Sequence, residues 1–352
     1  MLDFQLGSKT YGYLNPYLIA EIGVNYEGSI ERAKEMIRQV ARAGGHAAKF
    51  QTYKADTLAA KHTSPAYWDQ TKEPTASQHE LFQRFDAFGE KEYAELKATC
   101  DEVGIDFLST PFDLEAVDYL TPLMPITKVA SADLTNIPLL RKIAKTKNPV
   151  LMSVGAGSHQ EIERAVSELL ENGAPSVAIM HCVLNYPTPI ENAALSQIKV
   201  LQEKYGEKLV VGYSDHVKPE DDGALPALDI AALFGARVIE KHFTDNKQGV
   251  GNDHYHAMDE QDLLRFTQKL ELYKTLYGDG ELHLETQTAA ISNARRRIIA
   301  TKDLAAGHQL KEQDLIALRS NVGIEIFDYD QVVGKELTTA VAKDQPITWD
   351  DL

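Results

Sequence analysis

Short apolar runs alternate with segments of helical period along most of the chain, from residue 17 onward. Such continuous apolar runs are typical of strands buried on both faces of a parallel sheet. The eight runs lie at 17–23, 47–52, 106–111, 127–131, 149–155, 177–182, 209–214 and 237–243. Helical segments follow near 29–44, 89–103, 113–121, 137–147, 159–172, 192–205, 223–235 and 259–277. Eight strand–helix units with right-handed crossovers predict an α/β fold of the (β/α)8 TIM-barrel type.

Two segments depart from this alternation. Residues 53–88 are rich in polar and aromatic side chains and are longer than an ordinary loop between a strand and a helix. After about residue 280 short β-like pieces, at 295–301 and 338–342, alternate with turns. The pattern therefore predicts a barrel domain over 1–280, a linker over 281–292 and a small, mostly β domain over 293–352.

Composition and charge narrow the classes of partner. The 352 residues include 36 Lys and Arg against 52 Asp and Glu, a formal charge of −16 that disfavours nucleic acid and anionic membranes. The sequence shows no apolar stretch of membrane-spanning length and no signal-peptide pattern, and two cysteines cannot build a disulfide framework. We expect a cytoplasmic protein with a small-molecule partner. If that partner is anionic, its positive pocket must be built locally.

Polar side chains stand at the carboxyl ends of the predicted strands, where barrels carry their chemistry. A charged group inside an apolar strand is costly unless it is paired, so these positions indicate either a functional site or structural ion pairs. Their recurrence around the barrel favours a site. These residues are Glu21, Lys49, Gln51, Ser109, Thr110, Lys128, Ser131, Ser153, Ser214, Asp215, His216, Glu240, Lys241 and His242.

The period of two along a strand sorts these side chains by face. Ser214 and His216 point the same way, as do Glu240 and His242 on the next strand. If both faces look into the barrel mouth, two imidazoles and a carboxylate converge on one point. That set suits a divalent transition metal such as Mn²⁺, and Mg²⁺ less well. The alternative is that both histidines only make hydrogen bonds within the barrel.

A second group combines two ammonium groups with neutral hydroxyl donors. Such a group can bind a phosphate through charge and hydrogen bonds together. Any single hydroxyl could instead serve only to end a strand in a turn. Cys182 has no evident base beside it and is interpreted as structural. The members of this phosphate-binding set are Lys49, Lys128, Thr110, Ser131, Ser153 and Ser214.

Motifs at these same positions resemble the bacterial sialic acid synthase family along nearly the whole chain. They are AEIGVNYEGS (20–29), KFQTY (49–53), STPFD (109–113), KVASADL (128–134), HCVLNYPTP (181–189), GYSDH (212–216), ARVIEKHFT (236–244), GNDH (251–254) and RRRIIA (295–300). The resemblance implies condensation of phosphoenolpyruvate with an N-acylated aminohexose, N-acetylmannosamine or a 6-deoxy diacetamido analogue, to a nonulosonic acid with release of phosphate. It also implies a C-terminal antifreeze-protein-like domain.

The resemblance assigns roles to individual residues. His216 and His242 match the ligands of a divalent metal, Mn²⁺ first, with Mg²⁺ or Co²⁺ as alternatives. The phosphate-binding set falls on the phosphoenolpyruvate positions, and Glu21 on the acidic residue beside the reacting carbons. Arg319 matches an arginine that reaches the partner's active site in a domain-swapped homodimer. Sugar contacts are implied for Gln51, Tyr186 and Asp253.

The predicted catalytic residues are Glu21, Glu240 and Lys128. Either the metal or Glu240 would orient the attacking water, and the sequence leaves both open. The insertion at 53–88 is expected to close over the sugar, with Gln78 and His79 as candidate contacts.

Four positions depart from the family pattern, so the particular nonulosonic acid stays open. Tyr26 replaces a common His and Leu184 a frequent polar residue, both expected on the sugar side. Asn252 and Ser320 stand where the family usually has Pro. The EIGVN segment resembles the sialic and legionaminic branch more than the pseudaminic one.

Two other functions remain alternatives. A pyruvate aldolase of the Schiff-base type would use Lys128 or Lys241 as nucleophile, which requires a desolvated lysine with a lowered pKa. A non-catalytic carbohydrate- or ice-binding protein would use the C-terminal domain on an inert barrel. The second lysine and the hydroxyls fit a phosphate substrate better than pyruvate, and polar strand ends argue against an inert barrel.

Overall fold

The computed structural model describes residues 1–66, 68, 70–71, 73–251 and 253–352. The chain forms two compact units, Met1–Tyr277 and Gly278–Leu352. Among the described helices, none combines the length and the apolar character needed to cross a bilayer.

The first unit contains ten strands and ten α-helices among the described residues. The strands are β1 Phe4–Leu6, β2 Lys9–Tyr11, β3 Tyr17–Gly23, β4 Ala47–Thr52, β5 Asp106–Pro111, β6 Thr127–Val129, β7 Val150–Ser153, β8 Val177–Cys182, β9 Val210–Asp215 and β10 Val238–His242. The helices are α1 Ile30–Arg42, α2 Ala55–Leu58, α3 Gln78–Gln83, α4 Glu90–Val103, α5 Leu114–Leu120, α6 Ile137–Lys145, α7 His159–Glu171, α8 Gln197–Tyr205, α9 Pro226–Leu233 and α10 Glu260–Tyr277.

Strands β3 to β10 form one parallel sheet, in the order β5-β4-β3-β10-β9-β8-β7-β6. The strands at the two ends of this order, β5 and β6, are consecutive in the chain and pack side by side, so the sheet closes into a barrel. Each of the eight apolar runs forms a strand and each helical segment forms a helix. The predicted TIM-barrel fold is confirmed.

Helix α1 illustrates how the sequence sets a barrel helix. Ser29 accepts a hydrogen bond from the Arg32 amide, which caps the first turn. Ala33, Met36, Ile37 and Val40 are buried, at the spacing that forms one apolar helical face. The helix ends before Gly44, whose φ of +82° a residue with a side chain would adopt only with strain.

A hairpin that the sequence pattern did not reveal covers the amino end of the barrel. Strands β1 and β2 pair antiparallel, and each has only three residues, too few for a recognisable period. Phe4 and Tyr11 lie 5.5 and 4.9 Å from Tyr17, the first residue of β3, between ring centroids. This aromatic cluster leaves the opposite, carboxyl end as the open mouth.

The second unit is a small, mostly β domain with its own apolar core. Its elements are α11 Thr288–Ala294, β11 Arg296–Ala300, β12 Leu315–Arg319 and α12 Tyr329–Val332. The strands β11 and β12 pair antiparallel, with Arg296 opposite Arg319. The predicted piece at 295–301 forms β11, whereas 338–342 contributes only a single bridge, from Val341 to Leu304.

The sequence did not predict strand β12, because its apolar residues are not consistently the buried ones. Leu315 is buried, but Ile316 and Leu318 are exposed. The stretch predicted as a linker, 281–292, includes most of α11, and the two units divide between Tyr277 and Gly278.

Candidate active site

A cavity of about 290 Å³ opens at the carboxyl end of the barrel. Residues from all eight barrel strands, β3 to β10, line its floor, and residues of the 53–88 insertion line part of its wall. Most predicted site residues lie on it. They are Glu21, Lys49, Gln51, Thr110, Lys128, Ser131, Ser153, Tyr186, Ser214, His216, Glu240, His242 and Asp253.

Charges of alternating sign form a continuous chain across the floor. Glu21 lies 2.6 Å from Lys49, Lys49 lies 3.6 Å from Glu240, and Glu240 lies 3.6 Å from Lys128. All four side chains are at least nine-tenths buried. Buried charges of one sign would be unstable alone, so each lysine holds a carboxylate in place and is itself compensated. The acidic protein thus keeps two ammonium groups at one site.

The pKa directions follow from burial and these neighbours. Burial raises the pKa of Glu21 even though Lys49 opposes the shift, whereas for Glu240 the two lysines outweigh burial and lower its pKa. Burial lowers the pKa of Lys128. It would do the same to Lys49, but Glu21 and Glu240 outweigh it and leave that pKa raised. Of the two carboxyl groups in this charge chain, Glu21 is therefore the one that more readily holds a proton.

The predicted hydroxyls surround this charge chain. Lys49 donates to Thr110 at 3.1 Å and Lys128 to Ser153 at 2.8 Å. Ser214 donates to Glu240 at 3.0 Å, and Ser131 accepts from the backbone amide of Gly155 at 2.9 Å. These hydroxyls bridge between strands, so they are more than turn formers. Together with the lysines they can bind an anion such as a phosphate.

An imidazole cluster adjoins the charge chain. The ring centroid of His242 lies 5.3 Å from that of His216 and 4.9 Å from that of His256. His242, Asp253 and His256 each place a potential ligand atom within 4.8 Å of the others. Sequence reasoning assigned His216 and His242 to a metal and Asp253 to the sugar, and it missed His256. The signal available was a histidine three residues after Asp253, in the polar loop that follows the last strand.

The protonation state of His242 fits a divalent cation. His242 Nδ1 is buried and has no hydrogen-bond partner among the described residues. Burial, reinforced by His256, holds the pKa of His242 well below its usual range, so the ring is neutral. His216 Nδ1 donates to the Val183 carbonyl at 2.8 Å, which leaves Nε2 as the nitrogen that can bind a cation when the ring is neutral. Burial would lower the pKa of His216, but the neighbouring Cys182 outweighs burial and raises it.

Asp253 supports the same interpretation. Burial, followed by the charge of Glu21, raises the pKa of Asp253 to about 7. A cation bound beside Asp253 would reverse that shift. The neutral ring of His242 next to this poorly compensated carboxyl group can therefore hold a metal.

Lys241 faces away from the cavity. It donates to Asp215 and to the Val217 carbonyl, each at 2.6 Å, and only 1% of the residue is exposed. This pair ties β10 to β9 on the outer side of the barrel. Of the two candidate Schiff-base lysines, Lys128 lines the cavity and Lys241 does not.

Several further expectations are corrected. Cys182 Sγ lies 3.8 Å from His216 Nδ1, so an imidazole does lie beside it. Tyr26 is buried and stacks on Phe88 at 4.5 Å instead of lining the cavity. His79 hydrogen-bonds to Asp56 at 2.8 Å, and its contact with the sugar stays a prediction.

The remaining residues singled out in the sequence lie partly on the cavity and partly in the second unit. Leu184 and Gln78 line the cavity. Arg319 lies in the second unit, exposed at the end of β12. Ser320 accepts a hydrogen bond from the amide of Val322 at 3.1 Å. Asn252 lies outside the described residues.

The fold and the cavity define an α/β-barrel protein whose mouth combines two lysines and their hydroxyl partners with a cluster able to hold a metal. Residues 36–282 match the NeuB family and residues 295–352 match the SAF domain, so the chain belongs to the NeuB family. The C-terminal unit is accordingly a SAF domain.

Named relatives extend over nearly the whole chain. The N,N'-diacetyllegionaminic acid synthase of Legionella pneumophila is 33% identical, over 96% of this chain and 94% of the relative. The N-acetylneuraminate-9-phosphate synthase of Drosophila melanogaster is 33% identical, over 94% of each. Among solved structures, the sialic acid synthetase of Leptospira borgpetersenii superposes with a TM-score of 0.68 at 31% identity, covering 82% of this chain and 95% of that one.

Proposed function

We propose that this protein is a nonulosonic acid synthase that condenses phosphoenolpyruvate with an N-acylated aminohexose and releases phosphate. The observation that carries the proposal is the cavity in which two lysines and their hydroxyls adjoin an imidazole–carboxylate cluster. The names of the relatives support the same reaction class. The aminohexose is N-acetylmannosamine or a 6-deoxy diacetamido analogue.

Phosphoenolpyruvate would bind over the charge chain. Its phosphate and carboxylate accept hydrogen bonds, and Lys49, Lys128 and the neighbouring hydroxyls supply donors that already converge there. The formal charge of −16 makes the rest of the protein repulsive to this substrate. Selective binding therefore depends on these two buried ammonium groups, with Thr110, Ser131, Ser153 and Ser214 completing the set.

The reaction forms one carbon–carbon bond and one carbon–oxygen bond, and it breaks the carbon–oxygen bond between C2 and the phosphate. C3 of phosphoenolpyruvate attacks the aldehyde carbon of the open-chain sugar, and positive charge develops at C2. Water adds at C2, and one of its protons goes to the former aldehyde oxygen of the sugar. The bond from C2 to the bridging oxygen then breaks, phosphate leaves with that oxygen and the second proton, and C2 becomes a ketone. Glu21 would stabilise the charge at C2, held in orientation by the Gln51 amide at 2.9 Å.

His216 and His242 would hold a divalent cation, Mn²⁺ first, with Mg²⁺ or Co²⁺ as alternatives. When bound, the cation supplies Lewis-acid polarisation of the sugar carbonyl. Glu240 is one candidate for orienting the water, because its pKa is lowered and Ser214 fixes one of its oxygens. The cation is the other candidate.

The sugar would occupy the wall side of the cavity. Gln51, Tyr186 and Asp253 are its proposed polar contacts, with Leu184 and the insertion beside them. We propose a domain-swapped homodimer in which the partner subunit's Arg319 completes the site. The two free cysteines are consistent with function in the cytoplasm, the location that we propose.

Product analysis tests this function. The protein is incubated with phosphoenolpyruvate, Mn²⁺ and a panel of N-acylated aminohexoses. One hexose should yield a nine-carbon 2-keto acid by mass spectrometry, with one equivalent of phosphate. No product from any hexose, with metal and fold verified, would contradict the proposal.

Borohydride trapping distinguishes a Schiff-base aldolase from the proposed synthase. Lys128 has the lowered pKa that an aldolase needs, but it shares the cavity with a second lysine and hydroxyls suited to phosphate. Borohydride with pyruvate should leave the mass of the protein unchanged. A reduced pyruvate adduct on Lys128 would favour the aldolase.

A further inference from the structure

We infer that His256 is a third imidazole ligand of the metal centre, joining His216 and His242, with Asp253 as the carboxylate. The inference deepens the proposed function, because it concerns the same cavity. It assigns to the centre a donor set of three nitrogens and one oxygen.

His256 lies in direct contact with the other members of the cluster. Its Nε2 lies 3.8 Å from one oxygen of Asp253, and His242 Nδ1 lies 3.7 Å from the other oxygen. The ring centroids of His256 and His216 are 6.2 Å apart, and each of them lies closer than this to the ring centroid of His242. Asp253 thus stands between two imidazoles, with one oxygen near each.

Backbone hydrogen bonds fix His256 next to the strand that carries His242. The amide of Met258 donates to the His242 carbonyl at 2.8 Å, and the amide of Thr244 donates to the Met258 carbonyl at 2.9 Å. His256 and Ala257 are both fully buried. The loop is therefore an extension of the barrel at this point, and the third imidazole is positioned before any ligand binds.

The nearby His254 shows what a purely structural histidine looks like in this loop. Its Nδ1 lies 2.7 Å from the hydroxyl of Thr244, and its Nε2 lies 3.2 Å from Glu27. Both ring nitrogens are therefore occupied outside the metal cluster. His256 instead faces Asp253 and the ring of His242.

The proposed ligands predict which metal ions the centre prefers. Imidazole nitrogen suits first-row transition metals, whereas Mg²⁺ prefers oxygen ligands and retains its waters. A centre with three imidazoles should therefore bind Co²⁺ and Mn²⁺ strongly and discriminate against Mg²⁺.

Metal binding, measured without turnover, tests the inference. Metal-free wild type, His256→Gln and His254→Gln are titrated with Co²⁺, following heat and visible absorption. Loss of a residue that only supports a ligand typically weakens metal binding ~10–100-fold, so removing a ligand should cost about 100-fold or more. His256→Gln should show this loss and an altered Co²⁺ spectrum, whereas His254→Gln should match wild type.

A second measurement needs no substitution. In Mn²⁺-loaded wild type containing ¹⁵N-histidine, spin-echo spectroscopy counts the coordinated imidazoles. Three should be found. Two imidazoles, or wild-type Co²⁺ affinity in His256→Gln, would overturn the inference.

The same titration separates this inference from the proposed function. If His216→Ala and His242→Ala lose Co²⁺ while His256→Gln keeps it, only the third ligand is wrong. If wild type binds Co²⁺ through three imidazoles yet makes no nine-carbon product, the metal centre stands and the proposed function fails.

Discussion

At the residue scale, two buried lysines of the barrel differ in what surrounds their ammonium groups. Lys128 and Lys241 both lie in barrel strands, 3% and 1% exposed. Lys241 forms a 2.6 Å pair with Asp215, whereas Lys128 lies 3.6 Å from Glu240 and faces the cavity. Lys241 therefore stabilises the fold, and Lys128 retains capacity for an anion.

Substitution of Lys128 should weaken phosphoenolpyruvate binding. A hydrogen bond to a charged group contributes ~1.5–3 kcal/mol, so Lys128→Ala should raise the dissociation constant about ten- to a hundredfold. Lys49→Ala should act similarly. Isothermal titration with phosphoenolpyruvate measures both, and the apparent affinity for the sugar should change less.

Lys241→Ala is the matched control for a buried lysine of the same barrel. It should leave phosphoenolpyruvate affinity near wild type but lower the free energy of unfolding by ~3–5 kcal/mol, because Asp215 loses its cation. If Lys128→Ala lost affinity equally for phosphoenolpyruvate and for the sugar, the substitution would have collapsed the site instead.

At the scale of elements, the amino ends of β3 and β4 are joined through His46. The amide of Leu18 donates to His46 Nδ1 at 3.0 Å, which requires a ring without a proton on that nitrogen. Burial, and then the charge of Lys9, lowers the pKa of His46 to about 4. Protonation would break the bond to β3.

His46 should make stability depend on pH. Its pKa is about 4 when folded against 6.5 for the ordinary group, so the unfolded chain takes up the proton first as pH falls. The contribution of His46 is complete above about pH 6.5 and should fall by at most ~3 kcal/mol between there and pH 4. Urea unfolding across this range measures it. In His46→Gln the free energy of unfolding should fall less steeply with decreasing pH. Parallel pH curves for wild type and His46→Gln would contradict the assignment.

Helix α3 presents an aromatic wall to the cavity. Phe82 lines the cavity and packs on Tyr53 with 5.1 Å between ring centroids. If this wall contacts the sugar, Phe82→Ala should remove ~1.5 kcal/mol or more of apolar contact and raise the sugar KM about tenfold. Steady-state kinetics with each substrate varied provides the measurement.

Phe85, half-buried in the same insertion, is the matched control. Phe85→Ala should leave both KM values within about twofold of wild type, since a site away from the ligand changes little. A rise in the phosphoenolpyruvate KM as large as that for the sugar would show that Phe82 only supports the fold.

At the scale of the whole molecule, the SAF domain carries Arg319 on an exposed strand end. A guanidinium group offers bidentate donors that could orient the oxygens of a sugar. In the proposed dimer it would do so in the partner's cavity, and each site would then need two chains.

Mixing two inactive variants tests this arrangement. Arg319→Ala and His216→Ala should each be nearly inactive. After re-annealing, half of the dimers are mixed and each has one intact site, so activity should return to roughly a quarter of wild type. No recovery, with mixed dimers verified by native mass spectrometry, would mean that Arg319 acts in its own subunit or that the domains do not swap.

The sequence by itself determined the barrel, its eight strands and helices, and the polar residues at the strand ends. Those features depend on short-range periods: a strand buried on both faces reads as a continuous apolar run, and an amphipathic helix repeats every 3.6 residues. The motifs at the strand ends also indicated the phosphate-binding set and two imidazoles, since neighbouring strands end at one mouth.

Only the tertiary structure decided which side chains share one cavity. It turned Lys241 outward to Asp215, buried Tyr26 against Phe88 and brought His256 beside His242. Such contacts join residues from different elements, and loops such as the one carrying His256 have no period that fixes their path. Their positions follow from packing and from backbone hydrogen bonds to the barrel, which a pattern along the chain does not contain.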